Sequence, residues 1–173
     1  MSSDSRIEYD PLGAVSVPLD RYFGAQTARA IESFPISGIA LRSMPFVIQQ
    51  LAHAKMAAAQ DNFDEGLLSE AKRDAILQAC HEVLAGKYDE EFLVDVFQGG
   101  AGTSTNMNMN EVLANRASEI LGSARGQGRL VHPNDDVNRS HSTNDAYATA
   151  VRLSMIPASR AAGCACRSCI GSE

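Results

Sequence analysis

The sequence lacks an excess of positive charge: 15 lysines and arginines stand against 21 aspartates and glutamates, for a formal net charge of −6. That balance argues against a nucleic-acid surface or an anionic membrane as partner. It also lacks any apolar run long enough to span a bilayer. The opening Met1-Ser2-Ser3-Asp4-Ser5-Arg6 leads into no apolar stretch of the kind a signal peptide needs, so a cytoplasmic setting is expected. Cysteine is nearly missing before the end of the chain. Cys80 sits alone in a helical pattern and reads as a small buried apolar side chain, while Cys164, Cys166 and Cys169 crowd into the last ten residues. Their spacing matches no standard zinc pattern and no fourth ligand is evident, so no metal is expected. Repeats and low-complexity tracts are absent as well.

What is present is mostly helical. The first forty residues read as an irregular arm, punctuated by Pro11, Gly13, Pro18, Gly24, Pro35 and Gly38, with a short helix over 25–33. Pro45 opens a strong helix whose stripe is Phe46, Ile48, Leu51, Ala52, Lys55 and Met56. Ser69 is placed to start the next, which carries Ile76, Leu77, Cys80, Val83 and Leu84 on one face and stops at Gly86. The run 92–97 reads as a strand or an extended lead-in. A helix follows from Thr105 to Leu121 with Gly122 as its stop, then a loop to Asn138. A last helix begins near Ser142, where Ser142 and Asp145 have capping-box spacing, and Pro157 is expected to interrupt it.

Two segments carry chemistry. In 98–111, three glycines lead into hydroxyl and amide side chains and then into a helix. Glycine lets a backbone approach a ligand closely, and a helix start offers unpaired N–H groups with a partial positive charge. Such a place suits a small anion, and a carboxylate is expected. The cluster Ser142-Thr143-Asn144-Asp145 sits at a second helix start. Two such places in one chain suggest a ligand with two carboxylates. Set against this, Ser142 in a Ser-x-x-Asp pattern is often a cap and nothing more. Glu111 invites the role of general base, although an early-helix glutamate usually just complements the helix dipole. Asn106 and Asn110 share a helix face, so that one can line a site while the other pairs with backbone. His53 and His81 lie inside helical patterns and read as surface or core residues.

The residues from Gly99 to Asn115, Ser142-Thr143-Asn144-Asp145-Ala146-Tyr147, and Asp20-Arg21-Tyr22-Phe23-Gly24-Ala25-Gln26-Thr27 together resemble the aspartase/fumarase superfamily, over roughly Arg6 to Met155. The glycine loop and the Ser142 segment look like aspartases. Asn106 to Asn110, Arg116-Ala117-Ser118 and His132 to Asn138 look as much like class II fumarases. The resemblance implies a mainly α fold: an N-terminal lyase domain over 1–140 and the start of a central helix bundle over 141–156. From Pro157 the small residues, basic residues and cysteines show no apolar periodicity, so 157–173 reads as an aberrant, disordered tail. It implies that Thr103, Ser142 and Thr143 bind the substrate's β-carboxylate and that Asn144 orients the leaving amino group. It further implies a second, peripheral dicarboxylate site at Arg129, His132, Asn134 and Asp135, although a solvated turn built on Pro133-Asn134-Asp135 explains those residues equally well. No cofactor is implied, and the full-length family assembles as a homotetramer.

The implied activity is conversion of L-aspartate to fumarate and ammonia, with hydration of fumarate as the alternative and a noncatalytic dicarboxylate-binding or assembly fragment as a third. Ala148 stands where the family usually has proline, and His141 where it usually has glutamine. The family's serine-bearing catalytic loop has no counterpart among these residues. The expectation is therefore a truncated N-terminal portion, with no catalytic residue assigned and no turnover by residues 1–173 alone.

Overall fold

Asp10 and Gly13 close a turn that the arm's punctuation concealed. In the computed structural model, which describes the backbone of residues 4–170 and the side chains of residues 4–162, β1 (Ser5–Asp10) pairs antiparallel with β2 (Gly13–Pro18), Ser5 opposite Pro18. Asp10 Oδ1 accepts the Leu12 N–H at 2.9 Å, a side-chain-stabilised turn. The arm is thus an ordered hairpin where the sequence suggested irregular chain. α1 (Ala25–Ser33) follows on the expected residues.

The helices end where the punctuation places them. α2 (Pro45–Asp64) begins on its proline, and α3 (Glu70–Leu84) has Ser69 as its N-cap residue. Gly86, just past α3, donates its N–H to Val83 O. α4 (Thr103–Ile120) is closed by Gly122 donating to Glu119 O. Between α3 and α4 the run 92–97 is an extended lead-in. Val94 O accepts from Leu41 N at 2.8 Å, Val96 N donates to Ile39 O at 3.0 Å, and Ala40 bridges Asp95.

α4 is the axis of the molecule. Every residue from Thr105 to Asn115 is buried, so its polar side chains can pair only inside the protein, where the amide nitrogens find acceptors while the Oδ1 atoms of Asn106, Asn108 and Asn110 find no donor. Asn108 Nδ2 donates to Glu91 O at 3.0 Å, and Asn115 Nδ2 to Tyr22 O at 2.6 Å. Around α4 lie Leu51 and Ala52 of α2, Ile76, Ala79, Cys80 and Val83 of α3, and Val17 of β2, all in one apolar core.

α5 (Thr143–Ile170) packs along α2, with Ala146 and Ala150 buried in that core. It continues through Pro157, where the sequence suggested an interruption, and residues 157–170 are helical backbone rather than an irregular tail. Proline's φ is itself helical, and extending a helix already several turns long asks little per residue. The readings on Cys164, Cys166 and Cys169 lie outside the described side chains. Among the described residues no helix is long and apolar enough to cross a membrane.

Candidate active site

The glycine loop delivers the chain to α4 through Gly102, whose φ of +81° lies in the left-handed region. A Cβ there would fall 2.2 Å from the ring of Tyr147, on the second turn of α5. Only a residue without a side chain lets the loop seat on that ring. Gln98 secures the other side of the loop. Its Oε1 accepts the Thr105 N–H at 2.7 Å while its Nε2 donates to Thr105 Oγ1 at 2.8 Å. That takes one of the orphan N–H groups of the first turn.

α5 starts beside it. Ser142 Oγ accepts the Asn144 N–H at 3.2 Å, and Asp145 Oδ2 accepts the Ser142 N–H at 3.3 Å, the reciprocal pattern of a capping box. Ser142 therefore caps in this structure, with its hydroxyl hydrogen still free to donate. Asn106 Nδ2 donates to Thr143 Oγ1 at 2.9 Å and ties the two helix starts together. Thr103, Ser142 and Asn144 are exposed and Thr143 half-buried. The two helix starts thus meet through Gly102 against Tyr147 and Asn106 against Thr143, with Thr103 next to Gly102 and with Ser142 and Asn144 flanking Thr143.

The peripheral residues are not gathered in the same way. Arg129 turns to the hairpin, where it pairs with Glu8 at 3.2 Å and bonds Asn115 Oδ1 at 3.3 Å. His132 Nδ1 instead accepts the N–H groups of Asn134 and Asp135 at 3.3 and 3.2 Å, within a π-type turn at Pro133–Val137. Glu111, the tempting base, points elsewhere. Its carboxylate accepts the N–H groups of Gly24, Gln26 and Thr27 at 2.9, 2.9 and 3.0 Å and so caps α1 from across the core. Burial raises its pKa, opposed by those three donors. His53 and His81 are exposed, and Cys80 is fully buried, its thiol pushed up to about 12 by burial.

Behind the junction lies a group that sequence reasoning passed over. Lys55 is fully buried, with Nζ 2.8 Å from Asn138 Oδ1 and 2.6 Å from His141 Nε2. Its position in the α2 stripe, between Ala52 and Met56, was the available signal: a charged residue on an apolar face needs an internal partner. Burial pulls Lys55 down to about 7. His141 is lowered too, by burial and then by the Lys55 charge.

Free lysine titrates near 10.4, so between pH about 7 and about 10.4 the unfolded chain holds the extra proton and the folded chain does not. Stability contributed at this position should therefore rise with pH across that window. Lys55→Met should flatten the rise by on the order of 3 kcal/mol. Urea midpoints of parent and variant from pH 7 to 10 check this, and parallel curves would contradict it.

Residues 13–161 match the family described as lyase. The chain belongs to the lyase family. More narrowly, it corresponds to an N-terminal portion of the aspartase/fumarase superfamily. A Halobacterium salinarum protein named fumarate hydratase class II is 53% identical over 158 residues, covering 91% of this chain and 33% of that protein. A Pseudomonas aeruginosa protein named aspartate ammonia-lyase is 50% identical over 154 residues, covering 89% and 32%. The crystal structure titled fumarate lyase:delta crystallin from Brucella melitensis superposes with a TM-score of 0.86 at 53% identity, covering 88% of this chain and 35% of that one. This lyase chain therefore spans about a third of the length of the relatives it matches.

Proposed function

We propose that the chain supplies the carboxylate-binding part of an aspartate ammonia-lyase site. The observation that carries this reading is the meeting of two helix N-termini at Gly102–Tyr147 and Asn106–Thr143. Removing a proton from the carbon next to the β-carboxylate of L-aspartate loads that carboxylate with a second negative charge. Donors placed for the developing charge, acting without reorganisation, lower the barrier. In this reading Thr103, Ser142 and Thr143 donate to the β-carboxylate, and Asn144 orients the amino group that departs. No residue of the chain is assigned as base. Glu111 is unsuited to it, since both its oxygens already accept backbone N–H groups.

A second reading, fumarate hydratase, is favoured by the identity to the Halobacterium protein and needs the same carboxylate site. The cytoplasmic setting and the homotetramer belong to either reading. The peripheral dicarboxylate site also remains a proposal, resting on His132, Asn134 and Asp135 with Arg129 engaged at the hairpin.

Mixing the chain with the remaining two-thirds of the Pseudomonas relative and following fumarate by ultraviolet absorbance separates the possibilities. The expected result is fumarate from L-aspartate, lowered roughly a hundredfold by Thr103→Ala, and none from the chain alone. Fumarate from L-malate only would establish the second reading. No fumarate from either substrate would favour a noncatalytic role.

A further inference from the structure

Thr143 can bind a carboxylate only if its hydroxyl hydrogen points outward, and the direction of that hydrogen is set from inside the core. A threonine hydroxyl has one hydrogen to give and two lone pairs to fill. If the neighbour inside the protein is an acceptor, the hydrogen turns inward and is lost to a ligand. If the neighbour is a donor, the hydrogen is released. The inner neighbour of Thr143 is the side-chain amide of Asn106.

Which end of that amide faces Thr143 follows from groups that cannot be reversed. The carbonyl of His141 only accepts, so the Asn138 side chain must turn its Nδ2 toward it, as it does at 3.0 Å. Asn138 Oδ1 then faces inward and accepts three donors: Lys55 Nζ at 2.8 Å, Asn106 Nδ2 at 2.9 Å and Asn110 Nδ2 at 3.2 Å. Asn106 cannot turn its oxygen there without setting two acceptors face to face. Its Nδ2 is therefore shared between Asn138 Oδ1 and Thr143 Oγ1, one hydrogen for each. Lys55 is braced in turn. Arg139 O accepts from His141 Nδ1 at 2.8 Å, which leaves Nε2 bare to receive a hydrogen from Lys55. The groups facing this cluster are Lys55, His141, Cys80 and Asp145.

We propose that Asn106 is a positioning residue that turns the Thr143 hydroxyl outward as a donor to a ligand carboxylate, and that Lys55 holds Asn106 in that orientation through Asn138. The proposal rests on the dicarboxylate reading of the site. It makes buried Asn106 a polarity relay as well as a core residue. Replacing Asn106 by aspartate reverses the polarity at nearly the same size: the carboxylate accepts the Thr143 hydrogen and removes it from the ligand.

The experiment has two arms, both on the whole chain. In the first, without ligand, the two side-chain amide protons of Asn106 are followed by NMR. Thr143→Val should shift one of them and Lys55→Met the other. If neither proton moves in either variant, the relay is overturned. In the second, fumarate is titrated calorimetrically into the parent chain and variants. Asn106→Asp should weaken binding about tenfold or more and add nothing once Thr143→Val is present. Asn106→Leu, uncharged and also tested, frees the hydroxyl to rotate and should weaken binding less, again only while Thr143 is intact.

A residue that merely holds the fold together would cost the same factor in both backgrounds. That additive result, or parent-like binding by Asn106→Asp, overturns the proposal. If the parent chain itself binds no fumarate, the dicarboxylate reading fails, and the first arm alone then decides the orientation of the Thr143 hydroxyl.

Discussion

Gly102→Ala should destabilise the protein by about 2–4 kcal/mol and weaken carboxylate binding more than tenfold. Two separate effects add. At φ +81° an added Cβ strains the backbone whatever the space around it. The same Cβ would then lie 2.2 Å from the Tyr147 ring, which has to move and take the start of α5 with it. Because Asn106 reaches Thr143 across this junction at 2.9 Å, shifting α5 breaks the link between the two helix starts. Tyr147→Ala placed in the Gly102→Ala background should recover the steric part and leave the backbone part. Urea denaturation of the parent and these two variants measures both. A loss below about 0.5 kcal/mol for Gly102→Ala, within the range of an ordinary surface substitution, would contradict this picture of the loop.

Glu111→Ala should cost about 3–5 kcal/mol, a large share of the stability of a domain this size. The side chain is buried and receives the N–H groups of Gly24, Gln26 and Thr27, so truncation orphans three donors at the start of α1. Gly24 has no side chain to spare for the task, since a Cβ there would meet Glu111 Oε1 and Glu8 Oε2 at 2.8 Å. Glu111→Gln keeps one carbonyl oxygen and should fall between parent and Glu111→Ala. Hydrogen exchange supplies the second readout. The amides of Gly24, Gln26 and Thr27 should exchange faster in Glu111→Ala, and unchanged rates there would refute the capping role.

The contrast between these two sites shows which features a sequence displays. Gly86, Gly122, Pro45 and the Ser142–Asp145 pair act on their own neighbours, and the helix boundaries they announced are the ones observed. Glu111 acts on residues more than eighty positions away. Its local setting suggested dipole complementation because nothing nearby reveals a distant helix start. Arg129 is grouped with His132 by the family resemblance, yet its charge is matched by Glu8, 121 residues earlier. That Ser142, Thr143 and Asn144 stand at a helix start was legible because a capping pattern works over three or four residues, whereas the ligand-binding roles proposed for them and for Thr103 come from the family resemblance. Lys55 was visible but unread, a charged residue inside an apolar stripe whose partners Asn138 and His141 lie in a distant loop. Pro157 misled in the opposite sense, for the local rule against interior proline was outweighed by the helix already formed before it.

In the proposed function, Thr103 and Thr143 belong to one carboxylate site at the meeting of α4 and α5. The most direct measurement is an NMR titration of threonine-methyl-labelled chain with fumarate. The Thr103 and Thr143 methyls should shift together along one binding curve while Thr149, exposed further along α5, stays still. Shifts at Thr149 equal to those at Thr143, or perturbation confined to the His132–Asp135 turn with both site methyls unmoved, would contradict it.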